Sequence, residues 1–175
     1  MSDGSRYRAP ATMIGIGFAS VGAFIFTHFW TKGRSGRMRA QVVSAALSQV
    51  GKANVNKYWL DVLETPPPYP KEWCGAFALW ALHQAGLAKA WKWVIGKGFL
   101  YRLPITKNPK PGDIAYFNTF QHHAIVQSVD AINPSVARHV HLINGNGTGG
   151  VVSPSAPLMS TVTAFYSIAA LVGEL

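Results

Sequence analysis

Residues 114–144 read IAYFNTFQHHAIVQSVDAINPSVARHVHLIN. Short runs of apolar and β-branched residues alternate there with turn formers, which is the pattern of extended strands. Strands are expected over 114–117, 122–129 and 138–144. The last two are joined by DAINPSVAR, centred on Asn133-Pro134. A hairpin folded about that centre pairs residues whose numbers total about 266 to 268. His122 then lies opposite Asn144 or Asn146, and all three side chains emerge on one face of the sheet. An imidazole beside a carboxamide has its tautomer fixed, which leaves the other ring nitrogen able to act as a base. His123 faces the opposite way with Ile125 and reads as a structural or surface histidine.

Working outward toward the C-terminus, residues 150–153 and 164–172 complete a set of consecutive strands. Toward the N-terminus the period turns helical. Residues 41–50 end at Gly51 as a short helix with a glycine stop. A polar stretch and the loop Pro66-Pro67-Pro68-Tyr69-Pro70 come next. Residues 71–85 read as a helix with Glu72 in its first turn and Gly86 as terminator, because Trp73, Phe77 and Trp80 recur at helical spacing. A further short helix is expected over 88–93. Helices followed by consecutive strands define an α+β domain with an antiparallel sheet.

Cys74 is the one cysteine of the chain. This excludes an intramolecular disulfide framework and every multi-cysteine zinc or iron–sulfur site. In the first turn of a helix its thiolate is stabilised by the positive end of the helix dipole and by backbone N–H groups without helical partners. The plain alternative for a lone cysteine is a buried, inert side chain. A base within reach decides between the two, and the 122–144 hairpin offers one.

The chain has 175 residues, 49% of them hydrophobic and 13% charged, with a net charge of +9. A disordered chain lacks the apolar residues to build a core, so this composition indicates one globular domain with an appendage. The appendage is at the front. Residues 11–30, Ala11 to Trp30, read ATMIGIGFASVGAFIFTHFW without a formal charge. At 1.5 Å per residue they span about 30 Å, the thickness of a bilayer's hydrocarbon core, so a transmembrane helix is expected there. Arg6 and Arg8 precede it; Lys32, Arg34, Arg37 and Arg39 lie after it, and Phe29 and Trp30 occupy an interfacial position. The basic residues favour a cytoplasmic location for the domain C-terminal to the helix. Glycine, alanine and serine lower the hydrophobicity of the segment and permit close helix packing. The expected division is 1–39 as basic flank and membrane anchor, and 40–175 as the globular domain. Much of the basicity belongs to the first part, where it suits anionic lipid head groups. No nucleic-acid-binding motif accompanies it, so DNA or RNA binding is not expected.

Four motifs in order carry a resemblance: Trp73-Cys74-Gly75-Ala76-Phe77, Pro111-Gly112-Asp113-Ile114, His122-His123-Ala124-Ile125-Val126, and Ile143-Asn144-Gly145-Asn146. Together they resemble the CHAP group of cysteine, histidine-dependent amidohydrolases/peptidases, related to the NlpC-type peptidoglycan peptidases within the papain-like fold. The resemblance covers roughly residues 40–170. It implies a papain-like α+β fold with the nucleophile opening a helix. It also implies Cys74 as nucleophile, His122 rather than His123 as general base, Asn144 in the orienting position and Asn146 as the accompanying asparagine. Many family members carry Glu where this chain has Asn144. A neutral amide still holds the imidazole but stabilises the imidazolium less.

The reaction so implied is acyl transfer on peptidoglycan through a thioester, with backbone N–H groups of the Cys74 helix as oxyanion donors and no metal or cofactor. A cationic domain is drawn to anionic wall polymers. The implied setting is a cell-wall hydrolase of bacterial or phage lysis or entry type. It would be held at the membrane by its N-terminal helix and face the wall, in the periplasm or a virion. Two other classes stay open: a non-catalytic membrane-anchored structural or wall-binding module, and a papain-like protease acting on proteins. Among the remaining residues, Trp91 and Trp93 read as core or groove wall. The glycine-rich stretch 145–150 reads as a hairpin turn rather than a phosphate loop. His83 reads as a helix residue, and Asp113 as the residue at the turn into a strand. His139 and His141 share a strand face, and the spacing does not support a metal site built from them and Cys74.

Overall fold

A computed structural model describes residues 18–63, 72–93, 96–132 and 137–174, with side chains from residue 33 onward. The elements in chain order are helices α1 (Phe18–Leu47), α2 (Val55–Leu63) and α3 (Cys74–Gln84), then strands β1 (Ile105–Thr106), β2 (Ile114–Phe117), β3 (His122–Val129), β4 (Val140–Asn144), β5 (Ser153–Ser155) and β6 (Ala164–Tyr166), and a closing turn of helix, α4 (Ala169–Val172). The strands form one antiparallel sheet in the order β1-β6-β2-β3-β4-β5. The α+β class with helices preceding an antiparallel sheet is therefore as expected.

The β3–β4 hairpin has the register read from the sequence: Ala124, Ile125 and Val126 pair with Asn144, Ile143 and Leu142, and a bulge intervenes before Ser128 and His141. The two faces of the sheet bury different sets. Ile114, Tyr116, Ile125, Ile143 and Tyr166 face the helices and join Phe77, Leu79 and Trp80 in the main core. Ala115, Ala124, Val126, Leu142 and Phe165 form a second cluster on the reverse face.

Helix α3 is apolar all round because it is covered all round: every residue from Gly75 to His83 is buried. It begins at Cys74, later than the expected residue 71, so Glu72 precedes the helix instead of sitting in its first turn. Gly86, at φ +74°, ends the turn after α3, as expected of a left-handed stop. Helix α2 occupies the stretch after Gly51 that reads as polar and irregular in the sequence. Its one-sided burial of Tyr58, Trp59 and Val62 holds it against α3, with the Tyr58 ring 5.3 Å from Trp73 and 5.2 Å from Phe77. His83 is buried within α3 and pairs with Asp61 of α2 at 2.6 Å. The helix expected over 88–93 is not formed; Ala88 takes φ 52°, which breaks a right-handed run. Residues 150–153 and 164–172 are only partly extended: a 3₁₀ turn covers Thr148–Gly150, and α4 comes after β6. The proline run 66–70 and the Asn133-Pro134 turn lie outside the described residues.

The front of the chain departs from expectation. Among the described residues no helix is long and apolar enough to cross a membrane, so the transmembrane reading of 11–30 is not supported. Residues 11–17 lie outside the described ones. From Phe18 the helix runs unbroken to Leu47 through Lys32, Arg34, Arg37 and Arg39, so the boundary expected at 39/40 falls inside α1. Its C-terminal half belongs to the domain: Val42 and Ala46 are in the core and Arg39 is buried. Arg39 Nη1 bonds Asp113 Oδ1 and Arg39 Nε bonds Glu174 Oε1, each at 2.8 Å. Asp113 also accepts backbone N–H bonds from Ile168 and Lys110. The aspartate read as a turn residue thus joins α1, β2 and the C-terminal segment.

Candidate active site

Cys74 is the first residue of α3 and lines a cavity of about 410 Å³ together with Glu72, Gly75, Trp93, His122, His123 and Asn146, among others. Its Sγ lies 3.7 Å from His123 Nδ1 and 3.8 Å from the Gln121 carbonyl oxygen, to which the thiol donates. Burial pushes the thiol above its ordinary pKa. The backbone N–H groups of His123, Gly75 and Cys74 itself oppose the rise, and the charge of Glu72 adds to it. The backbone N–H groups at the helix start therefore act as expected, but desolvation outweighs them.

The neighbour of Cys74 differs from the one expected. His123 does face away from His122, with Ile125, but that face is the one α3 covers. Strand parity assigns side chains to faces and says nothing of which face a helix packs on. His123 is 2% exposed, stacked on Phe99 at 5.7 Å and edge-on to Tyr116 at 5.0 Å. Burial, and after it the nearby charge of His122, lowers its pKa to about 4. Its Nε2 has no hydrogen-bond partner among the described residues. Gly75 makes this approach possible: a Cβ there would meet Trp93 Nε1 at 2.7 Å and His123 Cε1 at 3.3 Å. The signal for this in the sequence is the Cys-Gly pair, where a missing side chain leaves room for another group.

His122 lines the same cavity and carries the asparagine partnership read from the register. Its Nε2 is 3.0 Å from Asn144 Oδ1. The Asn144 amide nitrogen donates to Ser153 O at 3.0 Å and to Ser155 Oγ at 2.9 Å. Both amide hydrogens are thereby used, so Oδ1 must face the ring and Nε2 must be the protonated nitrogen. The Nδ1 lone pair of His122 is left as the basic site. Burial lowers the pKa of His122, and the Asn144 bond works against that. Asn146, with φ 54°, lines the cavity beyond Asn144. Trp93 lines the cavity and packs edge-on to Trp59 at 4.7 Å, and Arg102 lies over Trp91 at 5.2 Å. His139 and His141 both sit on Asp130, at the other end of β3 from His122.

A thiol at a helix start, in a cavity shared with two imidazoles of which one is held by an asparagine amide, suits acyl transfer. The family model of the CHAP domain matches residues 65–146, somewhat under half of the chain. That family comprises cysteine, histidine-dependent amidohydrolases and peptidases, and the match includes Cys74, both histidines, Asn144 and Asn146. No curated protein and no solved structure matches the chain.

Proposed function

We propose that the chain hydrolyses an amide bond of peptidoglycan, with Cys74 as nucleophile, His122 as general base and Asn144 as its positioning residue. The observation that carries the reading is the placement of the Cys74 thiol at the start of α3, in one open cavity with an imidazole whose tautomer Asn144 fixes. As Sγ attacks the amide carbonyl carbon, its proton passes to His122 Nδ1. The oxyanion that forms is met by backbone N–H groups at the start of α3. His122 then protonates the amine as the C–N bond breaks, leaving a thioester. Water, losing a proton to His122, attacks the thioester carbonyl and returns the thiol. Asn146 lines the same cavity and is the accompanying asparagine.

A second reading makes His123 the base, because it is the ring in contact with Sγ. Its burial argues against this. A group held at about pKa 4 is a poor proton carrier near neutrality, and thiol–imidazole contacts commonly tighten only when substrate is bound.

Peptidoglycan lies outside the cytoplasmic membrane, so the domain acts on the wall side. The test is incubation of the full chain with purified peptidoglycan and mass spectrometry of the soluble fragments. New carboxyl and amino termini identify the bond and support the proposal. A folded chain that binds wall material without releasing fragments would overturn it in favour of a binding module. Release of peptides from proteins but not from wall would make it a protease.

A further inference from the structure

A second groove adjoins the cavity of Cys74. It has a volume of about 630 Å³, within the range of about 300–1,000 Å³ typical of small-ligand clefts. Phe120, His122 and Asn146 belong to both, so the groove opens from the cavity past the His122 ring toward the β4–β5 edge. Its composition is unlike that of the catalytic cavity. No Lys, Arg, Asp or Glu lines it; its polar groups are amides, hydroxyls and the shared imidazole, set among prolines.

Phe120 is 66% exposed. It does not lie loosely on the surface. Its ring stacks on Phe117 at 5.5 Å with 17° between the planes, and lies 6.0 Å from His122. The stack presents a fixed aromatic face beside the hydroxyl of Ser155 and the Asn146 side chain. One face of a pyranose ring is made of C–H bonds, and its rim of hydroxyls and acetamido groups. The C–H face suits an aromatic face, and the rim suits uncharged donors and acceptors. A stem peptide is a poorer occupant, because its carboxylates and amines would be desolvated there without a counter-charge.

On the reading that the substrate is peptidoglycan, we infer that this groove is a sugar subsite: Phe120, backed by Phe117, stacks an uncharged N-acetylated sugar ring of the glycan while the amide to be cut reaches Cys74. The subsite sets specificity and takes no part in bond breaking.

The test is calorimetric titration of the full chain carrying Cys74→Ala, so that nothing turns over, with a β-1,4-linked N-acetylglucosamine tetramer and separately with a sugar-free stem peptide. Phe120→Ala should weaken tetramer binding roughly 3- to 10-fold, the value of one aromatic stack. Phe120→Trp should retain binding, and peptide affinity, set mainly at the Cys74 cavity that Phe120 only borders, should fall less than tetramer affinity. Circular dichroism confirms that the variants are folded, as expected for an exposed side chain. No measurable tetramer binding, an unchanged affinity in Phe120→Ala, or a loss confined to the peptide would each overturn the assignment. The readout is binding to an inactive chain, so such a result leaves the hydrolase proposal to be judged by wall cleavage.

Discussion

The Asn144 carboxamide accepts a hydrogen bond from His122 Nε2 at 3.0 Å while its own nitrogen donates to Ser153 and Ser155 on the next strand. The amide cannot turn over without losing all three bonds, so β5 dictates which nitrogen of His122 is basic. Asn144→Ala should lower kcat on a soluble wall fragment by about 10-fold or more with the fold retained. His122→Ala should lower it by about 10²- to 10⁴-fold, the usual worth of a general base. An Asn144→Ala variant as active as the parent would remove the asparagine from the mechanism.

The acid limb of activity distinguishes the two histidines. A base must be neutral to accept the thiol proton, and His122 is shifted below its ordinary value of 6.5. It therefore stays neutral to lower pH, and the acid limb of kcat/KM should lie below pH 6.5. If His123 were the base, the limb would fall to about pH 4. The raised thiol pKa moves the alkaline limb upward, so the plateau is broad on that side too. A limb that disappears in His123→Gln but persists in His122→Gln would exchange the two roles.

His123 also makes stability depend on pH. Its folded pKa of about 4 lies below the ordinary 6.5, so the unfolded chain takes up the proton first as pH falls. Stability is fully present above about pH 6.5 and is lost progressively down to about pH 4. The loss is on the order of 3 kcal/mol. Denaturant melts of the parent and of His123→Phe, which keeps a ring between Phe99 and Tyr116, check this. The variant should lose less stability than the parent between pH 7 and pH 4.5.

Arg39 supplies the charge for a buried carboxylate. Asp113 is fully buried and held by Arg39 together with two backbone N–H groups. Arg39→Met leaves that charge uncompensated and should cost roughly 3–5 kcal/mol in urea unfolding. Glu174, held at about pKa 2 chiefly by its hydrogen bond to Arg39, lies nearer solvent; Glu174→Gln should cost less. Equal costs would mean that the network is not centred on Asp113.

Local pattern carries much of the sheet. Strands β2 and β3 have the bounds expected, because each is a short apolar run closed by turn residues, and the hairpin register comes from its length alone. Helix α3 is visible in the spacing of Trp73, Phe77 and Trp80. Parity places His122 with Asn144 and His123 on the opposite face. It does not say that α3 covers the His123 face, since that depends on packing between segments about fifty residues apart. Arg39 and Asp113 likewise read as flank and turn because their partnership is long-range. In VNKYWLDVL, Tyr58, Trp59 and Val62 do mark a helical face, but too short a one to outweigh its polar neighbours. Residues 11–30 suggest a membrane span by length and absence of charge, whereas α1 continues into the domain and buries Val42 and Ala46.

The most direct test of the central claim compares fragment release from purified peptidoglycan by the full chain and by Cys74→Ala at equal concentration, with circular dichroism of both. The account predicts release by the parent and a fall of about 10³-fold or more in the folded variant, since no other group supplies the nucleophile. Equal rates from the two proteins would contradict it.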